Sequence, residues 1–197
     1  MIRQSCAVTD QTGAAADPAL PTVALATDPT RVAAQFDAHL PMRGADDWEL
    51  GAIRVVRHKP GKRCLIEYDI VDAQGVSTLI GKIQAKRYGK QGLRTLESFW
   101  QRGFDATVAD GISVPEPIGH IGAFQMWLQR KERGAVLTDL LRPGVRPLMS
   151  RVARAAHKIH GSGAFLTPVV NDQHALSPEQ RADWEMFRKA IVPPVWD

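Results

Sequence analysis

A two-residue alternation from Cys64 to Val71 constrains the fold of this chain more than any other feature of its sequence. One set of alternating positions is uniformly apolar, and the other carries Glu67 and Asp69, which is the pattern of a β-strand with two different faces. β-rich runs lie on both sides, at 48–56 and 78–85. The turn signals Pro60-Gly61 and Asp72-Ala73-Gln74-Gly75 join them to the central run. The sequence therefore predicts three consecutive antiparallel strands.

Helical patterns and two further strands surround these three strands. Asp28-Pro29 is typical of a helix start, with Asp28 as the N-cap and Pro29 in the first turn. Apolar residues follow at helical spacing: Val32, Phe36 and Leu40. A second helix is predicted over about 91–102, with Gly103 as its stop. Prolines keep 114–117 extended, and two short strands that turn at Gly122 are predicted after them.

The remaining segments define the domain organisation that we expect. Residues 1–27 are rich in Ala, Thr, Asp and Pro without periodicity, which predicts a largely disordered tail. Two helices are predicted near the C-terminus, over about 148–160 and 177–191. The predicted fold class is α+β. A five-stranded antiparallel sheet with one helix occupies 28–130, and a helical region occupies 131–197.

Composition and charge narrow the class of function. The formal net charge is +4 and the pI is about 9.3, as expected for a protein that binds nucleic acid or for a cleft that accepts polyphosphate. The basic residues are dispersed, and the absence of a basic run disfavours nucleic acid. No apolar run approaches the roughly 20 residues of a membrane span. Cys6 and Cys64 do not suggest a disulfide framework, so we expect a cytoplasmic protein.

Two basic segments resemble the nucleotide-binding lobe of the aminoglycoside phosphotransferase and choline kinase family. In the first, Lys59-Pro60-Gly61-Lys62-Arg63, the resemblance implies that Gly61, Lys62 and Arg63 cover the phosphates of ATP. The second, Leu79-Ile80-Gly81-Lys82-Ile83, resembles the third-strand lysine motif, in which the ammonium neutralises phosphates. The local residues alone are also consistent with a solvated basic turn and with a lysine at a sheet edge.

The resemblance extends to a partner for Lys82 and to a segment that meets the adenine. It implies a carboxylate on the following helix, and Glu97 is the only acidic residue between Lys82 and Asp105. An exposed helical glutamate is the alternative. The segment 126–137 is similar to the hinge strand of the family and to the Gly-x-x-Leu after it. This similarity implies that the adenine edge meets backbone groups at three residues: Leu128, Gln129 and Arg130.

The catalytic residues of the family have no counterpart that we can assign. The family places its base in a His-Gly-Asp loop, whereas Ser162 follows His160-Gly161 here. The chain ends at Asp197, about where the family approaches its catalytic loop. The resemblance therefore implies a kinase polypeptide that is inactive alone, with Mg²⁺ bound only if a complete C-lobe is present. The sequence offers no Cys cluster and no supporting carboxylate beside His157 and His160, and we expect no metal site from them.

The partners follow from the same resemblance. They are a nucleotide and a hydroxylated small-molecule acceptor whose identity stays open, with no membrane. If the C-lobe is incomplete, an apolar surface between the lobes is exposed, and self-association through it is expected. A function from another class competes with this prediction: a non-catalytic module whose basic sheet binds nucleic acid or a protein partner.

Overall fold

The computed structural model describes residues 6–40, 48–85, 90–135, 137–140 and 146–163. All of them belong to one compact unit, Met1–Ala164. Its strands are β1 (Ala7–Thr9), β2 (Glu49–Lys59), β3 (Arg63–Asp72), β4 (Gly75–Gln84), β5 (Pro117–Ile121) and β6 (Met126–Arg130). They form one sheet in the order β1-β2-β3-β4-β6-β5. β1 runs parallel to β2, and every other neighbouring pair is antiparallel.

The protein is thus an α+β protein with a mixed six-stranded sheet. The five antiparallel strands and their turns agree with the sequence pattern, and β1 is the addition. The connection between β5 and β6 is a 3₁₀ turn at Gly122–Phe124, after which Gln125 adopts a left-handed conformation with φ 49°. The prediction of five strands was wrong by this one edge strand, because three exposed residues in parallel pairing leave no alternation to detect.

Five helices are described. They are α1 (Thr22–Ala26), α2 (Pro29–His39), α3 (Lys90–Gln101), α4 (Leu137–Leu140) and α5 (Arg146–Gly161). Among them, α1, α2 and α3 lie against the sheet. The Asp28 side chain accepts hydrogen bonds from the N–H groups of Thr30 and Arg31, which confirms the predicted N-cap of α2. The helices predicted near 91–102 and 148–160 are α3 and α5. The helix predicted over 177–191 lies outside the described residues.

The helices α1 and α2 cover one face of the sheet. Phe36 of α2 meets Tyr68 of β3 edge to face at 5.1 Å, and the Tyr68 hydroxyl donates to the Ala26 carbonyl at 2.8 Å. The helix α3 lies against the opposite face, where a Cβ at Gly92 would come within 3.2 Å of the Trp127 ring of β6. The helix α3, which lies between β4 and β5 in the sequence, therefore occupies the second face.

The described part of the N-terminal segment is ordered, contrary to the prediction of a disordered tail over 1–27. It contains β1, a 3₁₀ turn at Ala14–Ala16 and α1. Four of its apolar side chains are buried in the core: Ala14, Leu20, Val23 and Ala26. Their burial against the sheet offsets the entropy of ordering a segment whose local sequence specifies no long element.

None of the helices among the described residues is long and apolar enough to cross a membrane.

Candidate functional site

The face of the sheet that bears α3 also carries a row of polar side chains, here called the polar face. Successive side chains of a strand point to opposite faces, so the register decides its members. Leu65 lies beside Lys82, which lies beside Trp127, and Glu67 lies beside Ile80, which lies beside Gln129. The members that bear on the site lie on β2, β3, β4 and β6: Arg54, Leu65, Glu67, Asp69, Thr78, Ile80, Lys82, Trp127 and Gln129. Gln84 of β4 and His120 of β5 lie on the same side by register.

Lys82 lies half-buried near the middle of this face, and neutral groups hold its ammonium. Its Nζ donates to Oε1 of Gln129 at 2.8 Å and lies 4.4 Å from the centre of the Trp127 ring. Burial lowers the pKa of this ammonium below its usual range. Among the described residues no carboxylate forms an ion pair with it, although a buried cation is costly without a counter-charge.

Arg54 of the polar face and Lys131, just beyond β6, are both paired with carboxylates. Arg54 binds Asp69 through two hydrogen bonds of 2.6 and 2.7 Å and reaches Glu67 at 3.3 Å. Lys131 donates to the second oxygen of Glu67 at 2.6 Å. The hydrogen bonds from Arg54, followed by that from Thr78, hold the pKa of Asp69 below its usual range. Lys82 therefore differs from Arg54 and Lys131, because its half-buried ammonium has no described carboxylate partner.

The predicted ion pair between Lys82 and Glu97 is not present in the structure. Glu97 lies half-buried on α3, and no described ion pair involves it. Gln129 takes its place, because the β4–β6 register puts it diagonally across the ladder from Lys82, within reach of a long side chain. The resemblance implied a carboxylate on the next helix, whereas the observed partner is 47 residues further along the sequence.

The hairpin at Lys59–Arg63 forms as predicted, but its backbone N–H groups are occupied. Gly61, with φ 68°, donates its N–H to Oδ2 of Asp17 at 2.8 Å, and Lys62 donates to the Lys59 carbonyl at 3.0 Å. Pro60 has no N–H to offer. The turn therefore presents the exposed side chains of Lys62 and Arg63, while the Gly61 N–H is engaged by Asp17.

Asp17 ties the N-terminal segment to this hairpin. The oxygen that accepts from Gly61 also lies 2.8 Å from Nε2 of His58, and both side chains are only 7% exposed. The Gly61 N–H, followed by the His58 contact, holds the pKa of Asp17 below its usual range. No sequence signal pointed to this contact, because Asp17 stands in a segment without periodicity.

The predicted hinge residues lie inside the sheet rather than at its border. Leu128 and Gln129 belong to β6, whose backbone pairs with β4 on one side and β5 on the other. Arg130 donates its N–H to the Glu116 carbonyl at 2.9 Å, and Lys131 donates to the Thr78 carbonyl at 2.8 Å. These groups are not available to an adenine edge. The residues that follow the sheet, 132–135, are exposed.

Two further findings concern metal ligands and similarity to known proteins. Within the described ranges, no group of three or more His, Cys, Asp or Glu side chains is arranged to hold a metal ion. No protein-family model, no curated protein and no solved structure matches this chain.

Proposed function

We propose that the polar face binds the phosphates of ATP, as the nucleotide-binding lobe of a small-molecule kinase similar to the aminoglycoside phosphotransferases would. The observation that carries this proposal is the environment of the Lys82 ammonium. This half-buried group has a neutral amide and an aromatic ring as described contacts, and no described carboxylate pairs with it. A bound anion would supply the missing counter-charge.

The chemistry of the ammonium favours an anion with several oxygens. An ammonium group has three N–H donors, and Lys82 uses one of them in a described hydrogen bond. Hydrogen bonds from a charged donor to phosphate oxygens are short and about twice as strong as neutral ones. The attraction is also larger at a half-buried site than in bulk water, because the effective dielectric constant is lower.

The arrangement of strands supports the same proposal. β4, which carries Lys82, lies between β3 and β6. The basic hairpin Lys59–Arg63 begins β3, and the exposed segment 132–135 follows β6. Phosphates at Lys82 and a base at 132–135 would therefore lie along neighbouring strands, as in kinases that hold the phosphates with a third-strand lysine.

The proposal concerns nucleotide binding rather than turnover. Phosphoryl transfer also requires an aspartate at the acceptor hydroxyl and ligands for Mg²⁺. Since Ser162 follows His160-Gly161, this sequence offers no residue to which that base can be assigned. A hydroxylated small molecule is the acceptor class that the resemblance implies for a complete enzyme.

Titration calorimetry with ATP tests the proposal on the full chain and two variants. Lys82→Met removes the ammonium and keeps the apolar stem. Lys158→Met is the matched control, because Lys158 also lies over an aromatic ring, Phe104 at 4.5 Å, but is paired with Asp110 at 2.9 Å. We expect saturable binding that weakens at least about tenfold in Lys82→Met, since loss of one charged hydrogen bond costs about 1.5–3 kcal/mol.

The control should bind ATP within about twofold of the wild type, which is below 0.5 kcal/mol. Equal losses in both variants would mean that net charge rather than the position of Lys82 governs binding, and would refute the proposal. Absence of ATP binding, together with oligonucleotide binding that falls steeply with salt, would instead support the competing nucleic-acid module.

A further inference from the structure

We propose that Gln129 is the positioning residue for Lys82, and that its neutral amide holds the ammonium in place without cancelling the charge that an anion requires. The positioning itself is independent of any nucleotide. Its consequence for ATP affinity rests on the function proposed above.

The geometry fixes both partners of this contact. Gln129 is 8% exposed and lies on β6 between two strands, so its backbone has little freedom. Its Oε1 accepts from Lys82 at 2.8 Å, which leaves the NH₂ end of the amide as a donor that cannot bind the ammonium. The Trp127 ring, 4.4 Å from Nζ, bounds the ammonium on a second side. The cation is therefore held by two neutral groups.

Two other described lysines show the alternative arrangement. The ammonium of Lys131 is paired with Glu67 at 2.6 Å, and that of Lys158 is paired with Asp110 at 2.9 Å. A carboxylate at either position neutralises the lysine and competes with any incoming anion. At Lys82 an amide stands where a carboxylate of nearly the same shape would fit. Gln129 is therefore the residue that sets the preference of this site for anions.

The experiment replaces the amide by its isosteric acid. Gln129→Glu puts a carboxylate in contact with Lys82, and Gln84→Glu is the matched control. Gln84 lies two residues from Lys82 on the same strand and the same side, is exposed and has no described contact with Lys82. Both variants change the net charge by the same amount, so the comparison isolates contact from long-range charge.

The first measurement needs no nucleotide. The pKa of Lys82 is followed by NMR titration of protein labelled at the lysine ε-carbon, with resonances assigned through Lys82→Met. We expect Gln129→Glu to raise this pKa by about one to three pH units, the effect of an opposite charge at close range, and Gln84→Glu to raise it by less than about half a unit. Equal shifts in the two variants would overturn the positioning role.

The second measurement is the ATP affinity of the same variants. We expect Gln129→Glu to weaken ATP binding by about tenfold or more, and Gln84→Glu by no more than about threefold. A third variant, Gln129→Leu, removes the acceptor, and the Lys82 ε-protons should lose the ring-current shift that Trp127 imposes on them. If that shift persists, the Trp127 contact does not depend on Gln129 and the proposal is wrong.

Failure of this inference and failure of the proposed function are distinguishable. A raised Lys82 pKa in Gln129→Glu, with no ATP binding by the wild type, would support the positioning role and refute nucleotide binding. ATP binding that depends on Lys82, with an unchanged pKa in Gln129→Glu, would refute the positioning role alone.

Discussion

Gly81 is the position at which the fold of this sheet is most sensitive to a single added atom. A Cβ at Gly81 would overlap Sδ of Met126 and lie 2.9 Å from Cε2 of Tyr68. Neither neighbour can move without loss: both are fully buried, and the Tyr68 hydroxyl donates to the Ala26 carbonyl at 2.8 Å and contacts Sδ of Met126 at 3.3 Å. We therefore predict that Gly81→Ala destabilises the protein.

The magnitude follows from two opposing contributions. Forcing an extra methyl group into a packed core costs about 1–3 kcal/mol. Replacing glycine by alanine inside a strand recovers about 0.5–1 kcal/mol of chain entropy. The difference spans about 0–2.5 kcal/mol, and the close overlap with Met126 puts the net loss in its upper part, about 1–2 kcal/mol. With a urea m-value of about 2 kcal/mol/M, the midpoint should fall by roughly 0.5–1 M.

Gly51→Ala supplies the control for this prediction. Gly51 also lies within a strand, but the nearest atom to an added Cβ is Cγ2 of the half-buried Val71, at 3.1 Å, which can rotate away. Its stability should stay within about 0.5 kcal/mol of the wild type. If Gly81→Ala is as stable as Gly51→Ala, the close approach of β4 to Tyr68 and Met126 is not as described and the reasoning fails.

Three further predictions concern single side chains. The Gly61 N–H lowers the folded pKa of Asp17, so the carboxylate stabilises the protein above its unfolded pKa of about 3.9, and this contribution is lost as the pH falls through the lower folded pKa. In urea titrations, Asp17→Asn should therefore lose less stability below about pH 4 than the wild type. The same loss of stability at acid pH in both proteins would contradict the contact. Burial raises the pKa of the Cys64 thiol to about 12, so maleimide should label Cys6 in the native protein and Cys64 only after unfolding. Asp28→Ala should lower the free energy of unfolding by about 1 kcal/mol, because α2 loses its N-cap. A decrease smaller than about 0.3 kcal/mol would contradict the role of Asp28 as the N-cap.

Much of the sheet could be predicted from sequence because its signals are local. The alternation over 64–71 and the turn residues around Pro60-Gly61 fix strand direction and face without any knowledge of distant residues. The N-cap at Asp28 is local in the same sense. The N-terminal segment has no such signal: its buried residues are single apolar side chains between polar ones, and only contact with the finished sheet orders them.

The candidate site also has a part that local sequence indicates and a part that depends on distant residues. Lys82 was detectable because a cation on a central strand is unusual in any fold. Its partners were not, since they depend on the pairing of β4 with β6, which sequence spacing does not specify. The same pairing places Leu128 and Gln129 inside the ladder, which the sequence similarity alone did not indicate.

Indole NMR signals offer the most direct test of where ATP binds. The Trp127 ring lies on the polar face beside Lys82, whereas Trp48 lies on the opposite face, with its ring 6.1 Å from Phe36 and its indole N–H bonded to Asp37 at 2.9 Å. Addition of ATP should shift the Trp127 indole signal saturably and leave that of Trp48 unchanged. Saturable binding that shifts the Trp48 indole signal and leaves the Trp127 signal unchanged would place the nucleotide on the face opposite Lys82 and contradict the proposal.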